Sequence, residues 1–172
     1  MGVVEASSLD AACGVAPELF REAMSRLAAA VCVITTDGPQ GRAGFTATAV
    51  ASVSDDPPTL LVCIKRTASV HPYIAAHGRF DVHVLAHDQQ GTAHLFGGKT
   101  PMQERFEAQS WDPQGAGWRL KGALETMQCR VVERASVATH DVFFARVEAV
   151  HMASANAALL YYQRAYRALP LA

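Results

Sequence analysis

The chain has 172 residues, 50% of them hydrophobic and 18% charged, with a formal net charge of -1. That length supports one domain with a real core, and that composition excludes an intrinsically disordered chain. Near-neutral charge without a Lys/Arg run argues against nucleic acid or an anionic membrane surface as a partner. No apolar run approaches the roughly 20 residues that cross a bilayer.

Residues 1–16 lack a basic n-region and read as a flexible tail, not a signal peptide. Residues 17–172 carry no repeat, low-complexity tract or linker, so they are expected to form a single domain. A helix is expected over Pro17–Ala29, because Phe20, Ala23, Met24, Leu27 and Ala28 make one apolar stripe and Pro17 suits a first turn. A strand follows over Ala30–Thr36, and the Asp37–Gly41 run is a turn signal.

Gly44–Pro58 reads G-F-T-A-T-A-V-A-S-V-S-D-D-P-P and alternates with the period of a strand. Phe45, Ala47, Ala49, Ala51 and Val53 share one face; Thr46, Thr48, Val50, Ser52 and Ser54 share the other. The second face is hydroxyl-rich and uncharged. It fits a surface for a flat polar molecule or a phosphate, or else a half-buried strand using Thr for its β propensity.

Further strands are expected over Thr59–Lys65 and Phe80–Ala86, with a short helix over Ser69–His77 between them. Short helices at Asp88–Phe96 and Pro101–Ala108 flank the loop Gly97-Gly98-Lys99. Trp111–Gly117 reads as a loop. Ala123–Val137 and Thr139–His151 read as long strands joined by a tight turn, and Leu159–Tyr162 as a last short strand. Strands that follow one another with brief helices give a mainly β, α+β fold, an antiparallel barrel with appended helices.

Several familiar sites are excluded. Phe96-Gly97-Gly98-Lys99-Thr100 ends like a phosphate loop, but Ala93 stands where its first Gly belongs. No G-x-G-x-x-G follows a strand. His83 and His87 would lie about 13 Å apart along a strand, and no Cys/His cluster has zinc spacing, so no metal site is expected. Cys13, Cys32, Cys63 and Cys129 form no C-x-x-C pair. The last three sit in apolar runs as small hydrophobes, which suits a reducing cytoplasm. No G-x-S-x-G elbow or activated nucleophile is visible.

Two polar clusters remain. Cys63-Ile64-Lys65-Arg66-Thr67-Ala68-Ser69 leaves a buried strand and enters a helix, offering two cations and two hydroxyls; it reads as an anion site or as an ordinary charged loop. Thr139-His140-Asp141 opens a strand after a turn, where His140 reads as a turn residue or as a group projecting into a cleft.

Taken together, the ordered segments G-F-T-A-T-A-V-A-S-V-S-D-D-P-P, C-I-K-R-T-A-S-V, F-G-G-K-T-P-M-Q-E-R-F, T-H-D-V-F-F-A-R-V-E-A-V and Y-Y-Q-R-A-Y resemble the short-chain flavin reductases, the reductase components of two-component flavin-dependent monooxygenases. The wording is nearest to the pyrimidine-utilisation NADH:FMN reductases, with the 4-hydroxyphenylacetate monooxygenase reductases as neighbours. Where many members have Gly-Asp-His, this chain has Ala138-Thr139-His140.

The resemblance implies an antiparallel split β-barrel of the FMN-binding type and a homodimer. It also implies NAD(P)H-dependent reduction of FMN, with FAD as the alternative flavin and NADPH as the alternative to NADH. Reduced flavin would then diffuse to a separate oxygenase. Thr46, Ala47, Thr48, Ala49 and Ser52 would line the isoalloxazine and ribityl chain, and Cys63, Ile64 and Lys65 would continue that wall through backbone atoms. Arg66 and Ser69 would hold the phosphate. Phe96, Gly97 and Lys99 would close over the flavin, His140 would contact the nicotinamide, and Arg164 or Tyr166 would complete the pocket. The same barrel without turnover would be a flavin or haem binding protein, and a pyridoxamine-phosphate-oxidase-like enzyme is a third reading.

Overall fold

The computed structural model describes residues 3–5, 14–115, 117–154 and 157–170. Among the described residues the α-helices are α1 (Pro17–Ser25), α2 (His71–His77), α3 (Gln90–Gly97) and α4 (Met102–Glu107). The strands are β1 (Val3–Glu5), β2 (Ala29–Ala30), β3 (Cys32–Gly38), β4 (Gly41–Ala47), β5 (Val50–Asp55), β6 (Pro58–Lys65) and β7 (Arg79–Val84). They continue with β8 (Trp111–Gln114), β9 (Gly117–Leu120), β10 (Glu125–Val137), β11 (His140–Met152), β12 (Ala158–Tyr162) and β13 (Ala165–Leu169).

The main sheet runs β4-β3-β7-β10-β11-β6-β5, antiparallel at every step, with β1 parallel beside β10. Small sheets β13-β12-β2 and β8-β9 flank it. The fold is therefore mainly antiparallel β with a few short helices, as expected. No ladder closes the sheet between β4 and β5 among the described residues. Those two edge strands are nevertheless consecutive in the chain, joined only by Thr48 and Ala49.

Period-two alternation places two cores on opposite sides of β3. Cys32 and Ile34 join Val62, Ile64, Phe80, Val82 and Phe143. Val31 and Val33 join Leu85, Phe96, Phe106, Leu120 and Leu159. Both faces of β3 are thus buried, which is why Ala30–Thr36 reads as a nearly continuous apolar run. Cys32 and Cys129 are part of this packing; burial, with nearby carboxylates, pushes both thiols up to about 12.

Several boundaries differ from the sequence reading. The helix expected to reach Ala29 ends at Ser25, and its apolar stripe is not covered: Phe20 and Leu27 are 54% and 61% exposed. The hydroxyl strand is broken at Thr48–Ala49, and a register shift interrupts it again between Ser52 and Ser54. The Trp111–Gly117 loop is instead the hairpin β8–β9. Pro113 is accommodated because that sheet has only two strands and so leaves an edge open. Strand β13 went unread, since its turn uses Gln163 and Arg164 at positive φ (48° and 60°) without the usual Asn-Gly signal. The helix expected from Ser69 begins at His71, with Val70 preceding it. Val3–Glu5 lies within the stretch expected as a tail and pairs with Arg134–Ser136. The remainder of that stretch up to residue 13 lies outside the described residues.

Candidate active site

The register of β6 against β11 assembles the polar clusters. Lys65 stands opposite His140, Ile64 opposite Asp141 and Cys63 opposite Val142. Beyond the strand ends, the Arg66 N–H donates to the Thr139 carbonyl at 3.0 Å. The Arg66 guanidinium donates to the Ala138 carbonyl, in the left-handed turn (φ 47°) between β10 and β11. Lys65, Arg66 and His140 are all exposed. Two separate sequence motifs, 77 positions or so apart, thus form one cationic corner.

The opposite edge of β6 carries the second part. The Cys63 N–H donates to the Ala49 carbonyl at 3.1 Å, so the break between β4 and β5 lies against β6. A cleft of about 620 Å³ is lined by Thr48, Val50, Ser52 and Ser54, four of the five residues read as one hydroxyl-rich face. A neighbouring cleft of about 720 Å³ joins Thr48 and Ala49 to Phe20 and Met24 of α1, to Leu27 just beyond it and to Arg164. The fifth residue, Thr46, turns elsewhere: its hydroxyl donates to the Ala93 carbonyl of α3 at 2.7 Å. A Cβ at Gly97 would lie 3.6 Å from the Thr46 side chain, so the Gly97 backbone packs directly on this strand.

Other expected residues are placed differently. The Phe96 ring is 1% exposed and packs edge-on against Phe106 and Trp111, so it cannot close over a ligand with its side chain. Ala47 and Ile64 are also buried in the core and present only backbone. Lys99 and Ser69 are exposed. Arg164 pairs with Glu22 of α1 at 3.1 Å, and Tyr166 packs edge-on against His94 at 4.9 Å. Cys63 is partly exposed, with its thiol pushed up by burial, the opposite of an activated nucleophile.

The sequence reading missed a network beneath the cationic corner. The His71 Nε2 lies 2.8 Å from Asp141 Oδ2, and the Ser136 hydroxyl donates to Asp141 Oδ1 at 2.8 Å. Burial alone would raise the Asp141 carboxyl, but those hydrogen bonds and the nearby His71 and Arg134 charges hold it below the ordinary value. His71 and Asp141 are 70 positions apart, and only the β6–β11 pairing makes them neighbours. His83 is equally hidden in sequence. It is fully buried between the Thr35 and Thr126 hydroxyls at 2.9 and 3.0 Å, so it is not free to bind metal. Among the described residues no three His, Cys, Asp or Glu side chains form a metal-binding group.

The chain as a whole is similar to known proteins. The chain belongs to the flavin reductase like family, whose domain model matches residues 24–170. It is 53% identical to the FMN reductase (NADH) RutF of Stutzerimonas stutzeri (strain A1501) over 153 residues, 88% of each chain. It is 52% identical to the protein of the same name from Methylorubrum populi, over 96% of this chain and 83% of that one. Among solved structures it resembles BorF, the flavin reductase component of a bacterial two-component tryptophan halogenase. That match has a TM-score of 0.84 and 30% identity, and covers 90% of this chain and 99% of that one. The styrene monooxygenase flavin reductase of Pseudomonas putida S12 matches with a TM-score of 0.79 and 28% identity, over 89% of this chain and 98% of that one.

Proposed function

We propose that the protein is an NADH-dependent FMN reductase that supplies reduced flavin to a separate monooxygenase component. The observation that carries this reading is the 53% identity to an NADH-dependent FMN reductase across 88% of both chains. The assembled corner supports it, because Lys65, assigned by the resemblance to flavin, stands opposite His140, assigned to nicotinamide, with Arg66 beside them.

The donor set fits a flavin phosphate and ring. Arg66, Lys65 and Ser69 provide exposed cations and a hydroxyl, and Arg66 uses only part of its fork of donors on Ala138. Thr48, Ala49 and Ser52, with the Cys63 backbone, offer a small, neutral wall beside clefts large enough for a ring system. Bound flavin would supply the electron-accepting ring, so no side-chain nucleophile or metal is required. The protein's part is orientation. Arg66 and Ser69 hold the phosphate, Gly97 and Lys99 border the ring, and Arg164 and Tyr166 close the far side. His140, exposed at the start of β11 with Nδ1 2.9 Å from the Thr139 hydroxyl, positions the nicotinamide.

In this reading the sheet is a split barrel, with its edges joined through Thr48 and Ala49. Two chains associate through the exposed stripe of α1 and the apolar ends of β11, where Val150 and Met152 are 51% and 78% exposed. Assembly would cover the open sides of both clefts. The free thiols of Cys32, Cys63 and Cys129 suit the reducing cytoplasm. The reading is tested by steady-state oxidation of NADH and NADPH with FMN, FAD and riboflavin. NADH with FMN is expected to be the best pair, and flavin binding without nicotinamide-driven reduction would refute the reductase.

A further inference from the structure

Arg105 of α4 is a buried cation without an anion. It is 8% exposed, and it forms no ion pair with a carboxylate among the described residues. Its guanidinium is bonded to backbone carbonyls instead. Nε donates to Thr100 at 2.8 Å, Nη1 to Gly44 at 3.1 Å and to Phe96 at 3.0 Å, and Nη2 to Gly98 at 2.9 Å. Burial lowers its pKa, yet Arg stays charged in proteins. Two of the four carbonyls, Gly98 and Thr100, belong to the loop that links α3 to α4; Phe96 belongs to the last turn of α3 and Gly44 to β4.

This arrangement dictates which way the loop faces. A peptide unit is planar and trans, so a carbonyl turned toward the guanidinium turns the next N–H the opposite way. Fixing the Phe96 and Gly98 carbonyls on Arg105 therefore directs the Gly97 and Lys99 N–H groups away from it. The contact with β4 is equally tight. A Cβ on Gly44 would meet the Phe96 ring at 2.9 Å and the Ile34 carbonyl at 3.0 Å, and the Gly44 N–H donates to Met102 Sδ at 3.2 Å. Loop, α4 and β4 are thus locked as one unit, with Gly97 seated on Thr46.

We propose that Arg105 is a positioning residue for the flavin half of the reaction. It holds the end of α3 and the loop that follows, residues 96–100, at a fixed height above β4, so that Gly97 and Lys99 border the flavin ring. The inference rests on the reductase reading and adds to it a residue that touches no ligand. Because the loop is assigned to the ring and not to the phosphate, loosening it should weaken FMN and riboflavin equally.

The test is flavin affinity, measured by fluorescence quenching, together with steady-state kinetics. Arg105→Met should raise the dissociation constants of FMN and riboflavin alike by about tenfold, the equivalent of one or two hydrogen bonds. The flavin KM should rise with them while kcat at saturating flavin stays near wild type. Arg105→Lys keeps the charge but has no planar fork to span four carbonyls, so it should recover only part of the loss. A folded Met variant with wild-type constants, or a loss confined to FMN, overturns the proposal. If the Met variant does not fold, Gly98→Ala reads the same loop, since its Cβ would stand 3.0 Å from the His94 carbonyl and force a shift. Equal losses for both flavins are expected there too, and unchanged constants refute the role. Wild-type protein that binds flavin but does not oxidise NADH would count against the reductase reading, while the affinity comparison would still decide Arg105.

Discussion

His71 of α2 and Asp141 of β11 are joined by a 2.8 Å contact, with the Asp141 side chain only 3% exposed. The pair ties the segment after Arg66 to the strand that begins at His140. Its carboxylate is held below its ordinary pKa, so the stability it contributes is present above the unfolded value and is lost as pH falls through the folded one. Removing one partner leaves the other buried and unpaired. Asp141→Ala is therefore expected to destabilise the protein by about 3 kcal/mol, measured by urea unfolding at neutral pH. A change within about 0.5 kcal/mol, as at an ordinary surface site, would show that the network is not holding this corner.

Asp81 and His83 lie two residues apart on β7 and respond to acid in opposite senses. Burial, together with the charge of Asp37 and against the Trp118 N–H, raises the Asp81 carboxyl to about 6. Burial lowers His83 to about 3. Between about pH 4 and 6 the folded chain holds an extra proton at Asp81 and lacks one at His83. Their contributions to the pH slope of stability, each about 1.4 kcal/mol per pH unit, cancel. Asp81→Asn removes one side. The variant should lose stability by about that slope relative to wild type as pH falls from 6 to 4. Parallel pH profiles for the two proteins would contradict the assignment.

Arg66 is expected to recognise the flavin phosphate. A charge-assisted hydrogen bond is worth about 1.5–3 kcal/mol, so Arg66→Ala should weaken FMN by roughly ten- to a hundredfold. Riboflavin has no phosphate and should bind as before. Titration of both flavins checks this, and equal losses would place Arg66 elsewhere. The contrast with Arg105, where equal losses are expected, separates phosphate recognition from ring positioning.

His140→Ala should lower kcat/KM for NADH by about tenfold, one hydrogen bond's worth, with FMN affinity nearly unchanged. Stopped-flow reduction of the FMN-loaded variant reads this directly. Wild-type NADH dependence combined with a lowered melting temperature would make His140 a turn residue only.

Leu27, just beyond the end of α1, is 61% exposed, as Phe20 and Met24 of α1 are also exposed. Light scattering of the wild-type protein should give the mass of two chains. Leu27→Glu should shift it toward one and reduce flavin affinity with it. An active wild-type monomer would rule out a site completed by dimerisation.

Much of the architecture was legible because strand periodicity and turn signals are local. The long hairpin β10–β11 was read within two residues at each outer end, since its alternation runs over many positions around one tight turn. Strand β13 and the β8–β9 hairpin were not legible. The β12–β13 turn uses Gln163 and Arg164 where the commonest signals are Gly and Asn, while in β8–β9 the Gly115 turn was read as loop because Pro113 sits within the strand beside it. The α1 stripe was read correctly as apolar, but its exposure was not foreseen, because periodicity reports which residues share a face and not what covers that face.

The sequence by itself determined the class of element at most positions, the inert, buried character of Cys32 and Cys129, and the ordered motifs that mark the family. It also identified Arg66 and His140 as polar groups at the mouths of strands. Only the tertiary structure decided that Lys65 faces His140, that the Phe96 ring belongs to the core, and that His71 meets Asp141. It also decided that Arg105 is bonded to carbonyls and not to a carboxylate. The reason is physical. Pairing between distant strands is fixed by which buried faces can pack together and by register, and a one-residue slip would turn each side chain to the other face. Backbone carbonyls, moreover, are present at every position, so a cation satisfied by four of them leaves no trace in the order of residues.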